Sequence, residues 1–197
     1  MPQMNPQLRF QHVHADHLKE WFAETLAAYP ELHSRPIYLR KVSMRYSTMR
    51  AQPVINWQFF RRALRHYRVD FSNHTEVTVH VKVRELPKEV VVGWFAHELG
   101  HIVDYLNRPW RGMIAFGLGY AFWSRYMREA ERRADTIAVD HGFGSEIQAT
   151  KRYLINHATL PRHYKKRLRK YYLSADEIDA LIAAYEEEGE MPDIVEI

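Results

Sequence analysis

One segment of the chain has residue types and spacing suited to holding a metal ion: Trp94-Phe95-Ala96-His97-Glu98-Leu99-Gly100-His101-Ile102-Val103-Asp104-Tyr105. In an α-helix, positions four apart differ by about 40° around the axis, so His97 and His101 leave one face a turn apart and can bind one ion. Glu98 projects about 100° away, beside the ion rather than onto it. There it can take a proton from a water that the ion activates. A hydrolytic zinc site uses three protein ligands and keeps one position open. The third ligand is expected downstream, in Glu129-Ala130-Glu131-Arg132-Arg133-Ala134-Asp135. Glu131 completes a His97, His101, Glu131 set around one Zn2+ ion. Asp135, one turn later on the same helix face, is placed to accept a hydrogen bond from the outer nitrogen of a ligand imidazole. Asp104, one turn beyond His101, can buttress that ring or lie on the helix surface. The chain has no cysteine, which excludes disulfides, thiol nucleophiles and thiolate zinc sites, so any metal is held by His, Asp or Glu.

These side chains need two helices and a scaffold. Asp16 to Tyr29 reads as an amphipathic helix with Leu18, Trp21, Phe22, Leu26 and Tyr29 on one side. Ile37 to Met44 reads as extended, as does the region toward Ile55. Trp57 to Tyr67 has helical spacing, with Phe60, Ala63, Leu64 and Tyr67 on one side and Arg61, Arg62 and Arg65 mostly on the other. In Glu76 to Val83 the valines alternate with Thr78, His80 and Lys82, the period of a half-buried strand. Pro87 suits the first turn of a helix. From there to about Leu106 the segment is largely apolar and is expected to be central. A second long helical region runs from Gly112 to His141, with Gly117 and Gly119 as the points where it would break. Ser145 with Gln148, and Ser174 with Glu177, have the spacing of capping boxes, and a short basic helix follows Pro161. The sum is an α+β fold, helix-rich with a small mixed sheet beside the active-site helix. One domain over residues 1–197 is expected, its motif-bearing core at about 76–141 and a C-terminal helical part at 145–197.

The pattern His97-Glu98-x-x-His101 followed by Glu131-x-x-Ala134-Asp135 resembles the gluzincin metallopeptidases, which include thermolysin-like enzymes and the integral-membrane prenyl-protein and heat-shock proteases. The resemblance covers roughly residues 76–141. It implies a zincin-like fold, a single Zn2+, and hydrolysis of peptide bonds with Glu98 as general base. It also implies Glu131 as third ligand and Asp135 as the support of His97. The membrane members carry spanning helices around the motif. Here the longest uncharged apolar stretch, Gly112 to Ser124, falls short of the about 20 residues a spanning helix needs. No position matches the Tyr or His that often stabilises the oxyanion in this group; His141, His157, His163, Tyr153 and Tyr164 are the candidates.

The formal charge of +4 identifies no partner. The basic stretches at 61–65 and 162–170 and the acidic stretch from Glu186 to Glu196 read as solvated surfaces. No nucleic-acid-binding motif and no secretory signal is visible, and a cytoplasmic protein acting on a peptide or protein substrate is expected. The strand at 76–83 is the candidate for pairing with an extended substrate. The alternatives are a catalytically inactive zinc-binding regulatory or interaction module and a nucleic-acid-associated protease, one that works on DNA-bound proteins. His12, His14, His17 and Asp16 form a small cluster that reads as surface or as a second metal site. Met113 to Trp123 reads as core, as pocket wall, or as a shallow membrane or partner contact flanked by Trp110, Trp123 and arginines.

Overall fold

The computed structural model describes residues 7–44, 47–72, 82–156 and 162–190. Its four strands are β1 (Leu8–Gln11), β2 (Ile37–Lys41), β3 (Met49–Pro53) and β4 (Tyr67–Phe71). They lie in the order β1-β2-β4-β3. β1, β2 and β4 run parallel, with Leu39 opposite Val69, and β3 pairs antiparallel to β4, with Ala51 opposite Val69. The two-residue period of a strand sorts the sheet into faces. Ile37, Leu39, Met49, Ala51, Tyr67, Val69 and Phe71 are buried in the main core. Arg40, Arg50, Arg68 and Asp70 share the other face, where the fully buried Asp70 carboxylate accepts both arms of the Arg40 guanidinium at 2.8 and 3.1 Å.

Seven α-helices complete the described fold: α1 (Asp16–Ala27), α2 (Lys88–Leu106), α3 (Trp110–Phe122), α4 (Ser124–Asp140), α5 (Gly144–Asn156), α6 (Arg162–Tyr171) and α7 (Ala175–Glu190). The result is helix-rich α+β with a small mixed sheet. α2 is the hub. Its residues from Val90 to Ile102 are all buried, as expected of a helix that is apolar on every side and packed all round. It lies against α1, α4, α5 and the β3–β4 edge of the sheet. Two glycines let its neighbours come close. A Cβ on Gly93 would stand 2.1 Å from the Glu146 carbonyl oxygen of α5, and one on Gly100 would stand 2.5 Å from the Ala134 carbonyl oxygen of α4. A smaller apolar cluster of Ala96, Ala138, Val139, Ile147, Leu173 and Ile178 ties α2, α4, α5 and α7 together.

The structure departs from the sequence reading in three places. Trp57 to Tyr67 is not a helix but two short 3-10 turns leading into β4, and Phe60 and Leu64 are exposed rather than buried. The cause is Arg65. Instead of facing solvent it is fully buried, donating to the carbonyls of Phe59, Tyr105 and Arg108. The expected helix from Gly112 to His141 begins at Trp110 and breaks at Trp123, which is extended, rather than at the glycines. Gly119 stays helical, and the Tyr126 ring packs where its side chain would be. The Ser145–Gln148 capping box does not form, since Gln148 turns to Asp179 and Arg152, whereas Ser174 and Glu177 make theirs. The strand expected at Glu76 to Val83 lies outside the described residues up to position 81, and Val83 opens a 3-10 turn. Among the described residues no helix is long and apolar enough to cross a membrane.

Candidate metal centre

α2 turns His97 and His101 toward α4, and the close approach of the two helices at Gly100 lets α4 side chains reach both rings. One turn of α4 supplies Glu131 and Asp135, respectively 2% and 1% exposed. An oxygen of Glu131 lies 3.1 Å from His97 Nε2 and 3.6 Å from His101 Nε2. One ligand atom from each of the three residues falls within 4.8 Å of the others, a set that could hold a metal ion. In a tetrahedral site with bonds of about 2.0–2.1 Å, ligand atoms stand about 3.3 Å apart. The observed separations bracket that spacing, and the donor set fits a single ion of zinc type.

The outer side of His97 is fixed. Its Nδ1 lies 2.9 Å from Asp135 Oδ1. The other Asp135 oxygen takes the Lys151 ammonium and, at 3.1 Å, the Leu173 amide, while Lys151 also donates to the Leu173 carbonyl at 2.9 Å. This holds Nδ1 as the donor and leaves Nε2 facing Glu131. His101 has no such support: among the described residues its Nδ1 is buried without a partner. The expected buttress, Asp104, is instead held by Arg108 at 2.8 and 3.0 Å and by Arg133 at 2.9 Å. Arg108 follows just beyond the C-terminal end of α2 and Arg133 reaches across from α4, so two guanidinium groups take this carboxylate.

The electrostatics follow from this packing. Burial opposes charge on His97, but the Asp135 and Glu131 carboxylates outweigh it and raise its pKa to about 10. Burial likewise opposes charge on Glu131, and the His101 and His97 rings outweigh it, holding the carboxyl well below the usual range. Glu98 behaves differently. Burial raises its pKa, and the attraction of His97 and His101 offsets this only in part. Burial also raises Tyr105 and Tyr120, with the nearby carboxylates adding to the effect, so both hydroxyls stay protonated.

His97, Glu98, His101 and Glu131 line one cleft of about 680 Å³. β3 forms one wall through Met49 to Pro53, and α3 the opposite wall through Met113, Phe116, Gly117 and Tyr120. β3 ends the sheet among the described residues, so the strand beside the site is this one; most of the expected 76–83 strand lies outside them. Three cleft tyrosines went unread in the sequence. Tyr120 donates its hydroxyl to Glu131, Tyr105 stacks near His101 with centroids 6.1 Å apart, and Tyr172 lies 5.5 Å from the His97 ring. They come from three different elements, so no spacing rule announces them. The sequence candidates fare otherwise. His141 stacks on Tyr29 and contacts Glu31, Tyr153 packs on the main core, His157 lies outside the described residues, and nothing is described of the His163 and Tyr164 side chains. His17 packs at a tilt against the Trp21 ring and bonds the Arg84 carbonyl, and no metal-holding set forms around it among the described residues. No protein-family model, curated protein or solved structure matches this chain.

Proposed function

We propose that the chain is a zinc metallopeptidase of gluzincin type, with His97, His101 and Glu131 as ligands and Glu98 as general base. The observation that carries this reading is the convergence of the three ligand side chains at the wall of a cleft that also holds Glu98. A structural zinc needs no base beside it. Three protein ligands without sulfur are also the set that hydrolytic sites use. When bound, zinc supplies Lewis-acid polarisation of the scissile carbonyl and acidifies water.

The chain's own groups do the rest. Glu98, raised by burial, takes a proton from the attacking water at its carboxylate and passes it to the leaving nitrogen. Asp135 keeps His97 in the tautomer that presents Nε2. Tyr120, protonated and lining the cleft, gives its one O–H to Glu131 and serves a developing oxyanion only by turning from that carboxylate. An extended peptide runs along β3, exchanging main-chain hydrogen bonds with the strand edge.

The test is Glu98→Gln assayed on unfolded casein and on a peptide library. The variant is expected to keep its zinc and lose at least about 10²-fold in turnover. Equal hydrolysis by variant and parent contradicts the proposal. A parent that carries full zinc and cleaves nothing points instead to a zinc-binding module.

A further inference from the structure

Among the described residues, every large apolar side chain with strong exposure lies in one of two segments. Ile55, Trp57, Phe60 and Leu64 belong to the first, and Ile114, Leu118, Phe122 and Trp123 to the second. The two segments adjoin. The Phe60 ring meets the Trp110 ring at 5.5 Å, Arg62 reaches the Asn107 carbonyl at 3.5 Å, and Ile55 and Ile114 stand on the rim of the same cleft. Ile114, Leu118 and Phe122 recur every four residues and so form one ridge along α3. Trp57 is 89% exposed and Phe122 74%. Isolated exposed apolar residues are ordinary, but a contiguous set of this size marks a contact surface.

The charge around the ridge selects the contact. The chain has 24 acidic residues, yet none falls between Arg50 and Val69 or between Tyr105 and Arg128. Between Gly112 and Trp123 there is no charged residue of either sign, and the exposed Arg111, Arg125 and Arg128 flank that stretch. The exposed Arg61 and Arg62 lie within the first segment, between Phe60 and Leu64. A protein partner would have to bring a matching negative rim around an apolar centre of its own, whereas an anionic lipid surface offers both everywhere. A rim of five exposed arginines, with one carboxylate, Glu129, paired to Arg125 at 3.0 Å at its far end, around an aromatic and aliphatic ridge complements a surface that is negative outside and apolar beneath.

We infer that the α3 ridge and the 55–64 segment dock the chain onto a membrane surface bearing anionic lipid. The ridge enters the headgroup region and the arginines meet the lipid phosphates, so the cleft opens at the lipid surface. This contact is peripheral, and it stands whether or not the cleft hydrolyses peptides.

The experiment is co-sedimentation of the full chain with phosphatidylcholine vesicles, with and without phosphatidylglycerol, alongside the emission maximum of the exposed tryptophans. The expected result is binding and a blue shift only with phosphatidylglycerol, weakened by salt. The double substitution Leu118→Asp/Phe122→Asp, and separately Trp57→Ser, are expected to lower partitioning about tenfold or more. These positions are exposed, and unchanged zinc content and melting temperature confirm the fold. A chain that stays in solution with both vesicle types overturns the inference, as does binding indifferent to both substitutions. A vesicle-free dimer abolished by Leu118→Asp/Phe122→Asp assigns the face to a second copy and also overturns it. Polyglutamate that displaces the chain from vesicles, and binds more tightly than they do, assigns it to an acidic protein with the same consequence.

Discussion

The outer nitrogen of His97 lies 2.9 Å from one oxygen of Asp135, and the other oxygen of that carboxylate is taken by the Lys151 ammonium and the Leu173 amide. Asp135 is 1% exposed, so water offers it no alternative partners. A carboxylate held on both sides fixes the imidazole plane and its tautomer before any metal arrives. Asp135→Asn is expected to weaken zinc affinity about 10–100-fold, as such supporting groups generally do. Competition with a chromophoric chelator measures it. An affinity unchanged by the substitution contradicts the role given to Asp135.

Zinc binding is expected to expel a proton. Without metal, the His97 pKa is raised from its ordinary 6.5 to about 10 by the carboxylates that outweigh its burial. A raised histidine stabilises the metal-free fold fully below pH 6.5 and loses that contribution as pH rises through about 10. The metal needs the Nε2 lone pair, so at neutral pH the ion must displace that proton. Affinity then climbs about tenfold per pH unit for one proton released. Calorimetry in buffers of different ionisation enthalpy reads the proton count directly, and a count of zero contradicts the assignment.

The close approach of α2 and α4 makes a separate prediction. Gly100→Ala places a Cβ 2.5 Å from the Ala134 carbonyl oxygen, and backbone cannot yield as a flexible side chain does. The helices must part, which costs about 1–3 kcal/mol. The movement draws Glu131, one turn earlier on α4, away from the imidazoles. Gly117→Ala is the control, because a Cβ there meets nothing within 4 Å, and it gains about 0.5–1 kcal/mol of helix preference. Thermal melts and zinc titrations of both variants are expected to diverge, Gly100→Ala losing stability and metal and Gly117→Ala losing neither.

The ligand set was legible in the sequence because each half sits on one helix, where four-residue spacing fixes a shared face. His97 with His101, and Glu131 with Asp135, need only that rule. What remained hidden depends on how separate elements pack. Tyr120, Lys151 and the Leu173 backbone reach the site from three places along the chain, and Gly100 matters only because Ala134 lies opposite. Asp104 has the right spacing to support His101, but Arg108 and Arg133 hold it. The elements show the same division. Apolar periodicity located α1 and α2. It misread 57–67, because the burial of Arg65 against three carbonyls is a tertiary event that no local pattern records. Glycine content misplaced the break between α3 and α4, since Gly119 serves the Tyr126 ring rather than a turn.

The central claim is that three side chains from two helices hold one ion, and elemental analysis of the freshly purified chain tests it most directly. The expected result is one zinc per chain, falling to a trace in His97→Ala, His101→Ala and Glu131→Ala. A parent chain that neither carries zinc nor takes it up, or a Glu131→Ala variant that holds as much zinc as the parent, contradicts the account.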